Sequence, residues 1–237
     1  MSSSKFIAGA DTIIRVAPLL DCDRVRPESI VITTGALATA GATSLTVTIT
    51  GTPTPTQTIL ATTNFPLPLN FIEANGREHL VWVTASIDPT TITLTVQPLK
   101  RAIASGAIAR FPVILRNRQQ ATFNPNNQNQ DISVFDNAGW QDSLTTRLGR
   151  GLSMNGTYLP TDAGYNICIG VEFQKADLYW ELEFPKPGCE SDNLFTKGEI
   201  FWGFGSSQVS IESSADNMIM ANIEVQSRGK VTRIMAV

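Results

Sequence analysis

Residues 131–185 read DISVFDNAGWQDSLTTRLGRGLSMNGTYLPTDAGYNICIGVEFQKADLYWELEFP, and the last third of that stretch decides the fold. From 178 to 184, Leu178, Trp180, Leu182 and Phe184 alternate with Tyr179, Glu181 and Glu183, with Asp177 just ahead. Alternation with a period of two describes a β-strand, one face for a core and one for water. Pro185, Pro187 and Gly188 end it, because proline cannot donate to a sheet ladder.

Upstream, Leu159-Pro160-Thr161-Asp162 has the form of a helix start. Thr161 or Asp162 supplies the cap and places acidic charge at the positive end. The next segment, 166–173, carries two patterns at once: Ile167, Ile169, Val171 and Phe173 alternate, while Ala163, Ile167 and Val171 follow helical spacing. Periodicity does not separate these readings in so short a run. The preceding cap, and the room that Lys175-Ala176 leaves before the strand, favour a short helix. Earlier still, Ile132, Val134 and Phe135 form a short apolar run, Asp136-Asn137-Ala138-Gly139 a turn before Trp140, and Asn155-Gly156 a turn after Leu152-Ser153-Met154.

The chain has 237 residues, 16% of them charged, and a formal net charge of −3. That length buries a sizeable core, as one large β domain or two smaller ones. Abundant Thr, Ser, Asn and Gly suit many short strands joined by polar turns. Tight electrostatic binding to a phosphate backbone is not expected, whereas a mildly acidic wall lets a polyanion slide past. Cys22, Cys168 and Cys189 are odd in number and unrelated in spacing, which reads as reduced thiols of a protein made in the cytoplasm. Neither a signal peptide nor a run of about 20 apolar residues is found.

In chain order, 1–10 is a small polar arm and Ile13, Ile14, Val16, Leu19 and Leu20 a first strand. From 27 to 112 threonine dominates and acids are scarce. Strands are expected at 30–32, around Leu45, Val47 and Ile49, and around Ile92, Leu94 and Val96, with 65–69 held extended by its prolines. Asn75-Gly76 marks a hairpin between Phe71-Ile72 and the run 80–83. Pro98 and Gly106 bracket what reads as one or two helical turns. The hexads ATSLTV (42–47) and TITLTV (91–96) are similar. Residues 119–130, rich in Asn and Gln, read as a surface loop. Further strands are expected at 200–204, 209–211, 218–225 and 231–237.

Catalysis finds little to stand on. His79, the one histidine, lies just past the hairpin turn and reads as a strand residue near the surface rather than part of a triad. Glu172, Asp177, Glu181 and Glu183 have the residue types of a glycosidase pair, but Glu181 and Glu183 share one strand face, as a solvated or interfacial surface also would. Gly149-Arg150-Gly151 lacks the spacing and lysine of a phosphate loop. Trp140 and Trp202 remain open as a stacking platform.

The order of strand, turn with Trp, strand, capped helix and amphipathic strand resembles the tail tube (major tail) proteins of long-tailed bacteriophages. The resemblance rests on Phe135-Asp136-Asn137-Ala138-Gly139-Trp140, Leu152-Ser153-Met154-Asn155-Gly156, Thr161-Asp162-Ala163-Gly164, the strand at 178–184 and the opening KFIAGADT (5–12). It spans about residues 1–25 and 115–237, by order and composition rather than by one specific motif. It implies a mainly β protein: a β-sandwich or half-barrel tube domain (1–26 and 113–237) with one short helix, and an inserted β-rich domain (27–112) on the outside. Hexameric rings would stack into a channel for double-stranded DNA. Partners would be further copies, terminator, tape measure, baseplate or tip proteins and a sheath where one exists, with the virion tail as location and no cofactor or metal. By the same resemblance Asn117, Arg118, Asn124, Asn126, Asn127, Asn129 and Asp131 belong to an inter-subunit contact loop, and Glu181 and Glu183 to a lumen or ring interface. The alternatives are a virion decoration or neck protein, and a carbohydrate-binding β-sandwich module using Trp140 and Trp202.

Overall fold

The computed structural model describes residues 12–19, 24–51, 53–125, 128–131, 143–147, 150–185, 198–213 and 219–235. The protein is mainly β, with one helix among the described residues. Strands β1 (Ile13–Leu19), β2 (Ile30–Thr34), β3 (Ser44–Gly51), β4 (Leu67–Ile72), β5 (Glu78–Val83), β6 (Thr93–Thr95), β7 (Ile108–Phe111) and β8 (Val113–Ile114) occupy the first half. Then come β9 (Arg118–Pro125), β10 (Gln128–Asp131), β11 (Ser143–Arg147), β12 (Arg150–Thr157), helix α1 (Ala163–Gln174), β13 (Asp177–Glu183), β14 (Ile200–Glu212), β15 (Met220–Ser227) and β16 (Thr232–Ile234).

Two larger sheets divide the strands. The first runs β8-β1-β13-β14-β15-β12-β9, with β16 against β14. It is antiparallel and curls into a half-barrel, since Phe123 of β9 reaches across to the rings of Trp180 and Phe201, 5.7 and 5.2 Å away. The second runs β5-β4-β7-β2-β3-β6. Its two end strands meet: Val83 bridges Val96, Thr84 N–H donates to Thr95 O at 2.9 Å and Gln97 N–H to Trp82 O at 2.8 Å. The six strands therefore close on themselves and leave few unpaired edges. Leu69, Phe71, Ile32, Val47, Leu94 and Val83 fill the interior. Strands β10 and β11 form a separate pair.

The capped helix forms as its sequence implies. Asp162, wholly buried, accepts from Gly164 N–H at 3.1 Å, and Lys175 ends the helix in the left-handed region at φ 54°. Its N–H and that of Ala176 close on the carbonyls of Glu172 and Val171, a Schellman-type stop. Helical spacing wins over alternation here: Ala163, Ile167 and Val171 are buried against β14, β1 and β4, while Phe173 is 84% exposed. The Asn75-Gly76 hairpin forms as well, with Gly76 at φ +82°. The two similar hexads supply β3 and β6, which pair with each other, Leu45 opposite Leu94.

Several expectations are corrected. The segment between Pro98 and Gly106 is not helical. Leu99 and Ile103 are buried, and their N–H groups pair with the carbonyls of Ala42 and Ala38, so long-range pairing overrides the local helix signal. Asn155-Gly156 is no turn but lies within β12, where Gly156 sits at a bulge against β9. A Cβ there would stand 1.9 Å from Asn117 O, so the glycine serves close approach of two backbones. Residues 118–125 form an edge strand, not a loop, paired along β12; an edge strand with one wet face needs few apolar residues. The expected strands at 200–204 and 209–211 are one, because β14 keeps a partner throughout, first β13 and then β15. His79 is in a strand but buried, its Nε2 donating to Glu73 Oε1 at 3.0 Å. The runs 1–11, 132–142 and 186–197, with the opening arm, Trp140 and Cys189, and Cys22 earlier on, lie outside the described residues.

Candidate functional site

Strand β1 pairs with β13 along its whole length and brings Arg15 opposite Glu181. The outward face of β13 is not wet, as its alternation implies, but roofed over: Tyr179 and Glu181 are buried. The roof is the segment leaving β1 for the closed barrel. Arg26, within it, donates to Glu181 Oε2 through Nη2 at 2.6 Å and Nε at 3.1 Å. Tyr179 Oη donates to the same oxygen at 2.5 Å, and Arg15 Nη1 donates to Glu181 Oε1 at 2.7 Å and Glu183 Oε2 at 2.5 Å. Arg24 and Arg228 both hold Asp177, at 2.9 and 3.1 Å. Glu28 fixes the next turn by accepting from Thr56 N–H at 2.6 Å and Gln57 N–H at 2.9 Å.

Electrostatics follow from this wiring. Burial pushes the Glu181 carboxyl up, but the bonds from Tyr179 and Arg26 and the charges of Arg26 and Arg15 outweigh it and hold it below the usual carboxylate range. Burial, with the adjacent Glu181 charge, drives the Tyr179 phenol far upward. A cavity of about 420 Å³ opens beside the cluster, between Arg15, Arg26, Glu28, Glu181, Glu183 and Pro112. The acid expected at a lumen or ring contact is thus enclosed within its own protomer, and Glu183 is half-buried beside it on Arg15. The arrangement is a clasp that ties a crossing segment to a sheet. Trp202 joins the same face, 6.2 Å from Tyr179 and 6.0 Å from Phe204, and is half-buried rather than a free stacking platform.

The other half of the half-barrel presents a different surface. Leu152, Met154, Ala221, Ile223 and Val225 turn to the core. Their alternate neighbours form rows across four strands: Thr122, Ser153, Glu224 and Gln208 in one, Gln120, Asn155, Asn222 and Ser210 in the next. All eight are exposed or half-exposed. Glu212, two residues past Ser210 on β14 and opposite Met220, accepts from Asn222 Nδ2 at 2.9 Å. These rows contain no lysine or arginine, only amides, hydroxyls and the acid Glu224. Such a wall offers hydrogen bonds and weak negative charge.

The residues expected in a contact loop are distributed along the β9 edge. Asn117 is exposed at φ 54°, and its carbonyl accepts from Thr157 N–H at 3.2 Å. The Arg118 guanidinium turns inward, donating to the carbonyls of Arg116 and Ala221 at 3.0 Å each and of Thr157 at 3.4 Å. Asn124 closes the strand opposite Gly151, and Asn129 and Asp131 are in β10. Asn126 and Asn127 lie outside the described residues. Sequence reading missed Arg15 and Arg26 as partners of Glu181. A basic residue inside an apolar strand was the available signal. Among the described residues no group of three or more His, Cys, Asp or Glu side chains could hold a metal ion, and no helix is long and apolar enough to cross a membrane.

No protein-family model matches the chain, and no curated protein does. Among solved structures, a chain from the tail of an empty GTA particle with C6 symmetry is similar: 13% identical, over 50% of this chain and 83% of that one, with a TM-score of 0.37. A likeness of that size says nothing about what this chain does.

Proposed function

We propose that the chain is a structural subunit of a phage-type tail tube, not an enzyme: six copies close into a ring, and rings stack around a channel that passes double-stranded DNA. The observation that carries this reading is the pair of open polar rows across β9, β12, β15 and β14, which hold no lysine or arginine. A channel wall for DNA must be hydrophilic yet must not grip phosphate, since each lysine or arginine contact adds a salt-dependent attraction. The half-barrel also ends in two strands, β8 and β9, each paired on one side only among the described residues. Side-by-side addition of copies would satisfy such edges, and a rotation that closes gives a ring.

In this reading residues 27–112 are the inserted unit. Their sheet closes on itself between β1 and β8, and a unit of that size belongs outside the tube because a channel has no space for it. Asn117 and Asn124 on the β9 edge, and Asn129 and Asp131 beyond it, are the residues proposed to meet a neighbouring copy. Terminator, tape-measure and tip or baseplate proteins would be the remaining partners, and the virion tail the location. Negative-stain imaging and native mass measurement of the purified protein test this. Sixfold rings or filaments are expected, and a stable monomer at high concentration under tail-assembly conditions would overturn it.

A further inference from the structure

The closed barrel carries a site that tube building does not use. Strands β4 and β7 pair only through Ile72 and Ile108 and then part. A concavity of about 330 Å³ opens on the barrel's outer side at this point, against Val113, Ile114 and Arg116. Its size lies at the lower end of small-molecule sites and corresponds to about ten non-hydrogen atoms if each occupies roughly the volume share of one water.

The lining divides by chemistry. Ile72, Ile108, Val113 and Ile114 give it an apolar wall. Arg110 projects from β7 on the same side as Ile108 and has no ion-pair partner among the described residues, whereas nearby Arg116 holds Glu78. Glu73, also on the rim, accepts from His79 Nε2 and Ala104 N–H at 3.0 Å each and from Asn75 Nδ2 at 3.2 Å, and forms no ion pair with Arg110.

We infer that this concavity binds a small monocarboxylate with a compact apolar body, its carboxylate on Arg110 and its hydrocarbon against Ile72, Ile108, Val113 and Ile114. The cation chooses the headgroup because a guanidinium meets a carboxylate through paired charge-assisted bonds. The wall chooses the tail because Ile72, Ile108, Val113 and Ile114 present only hydrocarbon to it.

The test is a titration of the full chain with sodium hexanoate, read by amide shifts in NMR and by calorimetry at constant ionic strength, beside hexanamide and sodium chloride. Saturable hexanoate binding with shifts centred on residues 70–74 and 106–114 is expected, with hexanamide at least tenfold weaker. Arg110→Gln, an exposed change away from the core, should weaken hexanoate at least tenfold while leaving the melting temperature and the oligomeric state unaltered. Equal binding of hexanoate and hexanamide, unchanged affinity in Arg110→Gln, or no saturation at tens of millimolar would overturn the assignment. Because the oligomeric state is read separately, failure here is distinguishable from failure of the tube reading.

Discussion

Replacing Glu181 tests the clasp most directly. Its side chain is 6% exposed and takes hydrogen bonds from Arg15, Arg26 and Tyr179. Removing one member of a buried charge cluster costs about 3–5 kcal/mol, because the partners stay behind uncompensated. Here the partners keep some access to water, with Arg15 at 22% and Arg26 at 38% side-chain exposure, and Arg15 keeps Glu183. The low end applies, so Glu181→Ala should lose about 3 kcal/mol. For a chain of this size that lowers the melting temperature by roughly 6–12 °C. Glu181→Gln keeps the shape and one acceptor, and should lose about 1.5–3 kcal/mol, the range for a hydrogen bond to a charged group. Urea denaturation followed by tryptophan fluorescence measures both. The sign with pH is also set. A carboxyl held lower in the folded state contributes stability above its unfolded value, near 4.5, and that contribution is lost as pH falls through and below it. Wild type should therefore weaken more steeply than Glu181→Gln between pH 5 and 3. A double-mutant cycle with Arg26→Ala should show coupling of about 1 kcal/mol or more. If Glu181→Gln stays within about 0.5 kcal/mol of wild type, as an ordinary surface change would, or if the cycle is additive, the clasp does not exist as described.

Further outcomes follow from other parts of the structure. Cys168 is buried, and its thiol is pushed up to about 12 by burial, so peptide mapping after alkylation at pH 8 should find it unmodified in native protein and fully modified in urea. Asp162→Ala removes the helix cap and the acceptor of Arg116 N–H, 3.1 Å away, and should cost about 2 kcal/mol by denaturation. Gly156→Ala forces a methyl to within 1.9 Å of Asn117 O and should destabilise by about 3 kcal/mol or abolish folding, seen as loss of soluble protein or a lowered midpoint. Ser153→Arg on the open polar face should leave monomer stability within about 0.5 kcal/mol. If that face lines a channel, the assembled form should gain salt-sensitive DNA retention in a filter-binding assay, and no gain would count against the placement.

Local features were legible in sequence wherever neighbours in the chain decide the outcome. Asp162 caps α1 because its side chain reaches an N–H two residues on. Gly76 turns a hairpin because it alone there tolerates φ +82°. The alternation at 178–184 correctly marks a strand, for side-chain parity is a property of the backbone. What covers each face of that strand is not. Parity placed Glu181 opposite Trp180, but only the path of residues 24–28 across the sheet turned a wet face into a buried ion cluster. The same limit explains why 119–130 reads as a loop although 118–125 is a strand: its pairing energy comes from β12, some thirty residues on. Likewise, the two similar hexads announced two strands, and only the fold made them partners. Sequence by itself determined the Asp162 cap, the Asn75-Gly76 turn and the alternation of the main strands, because those rest on local sterics and hydrogen bonds. The tertiary structure decided which edges meet, which charges are enclosed and which polar rows stay open, because these depend on chain segments brought together from far apart.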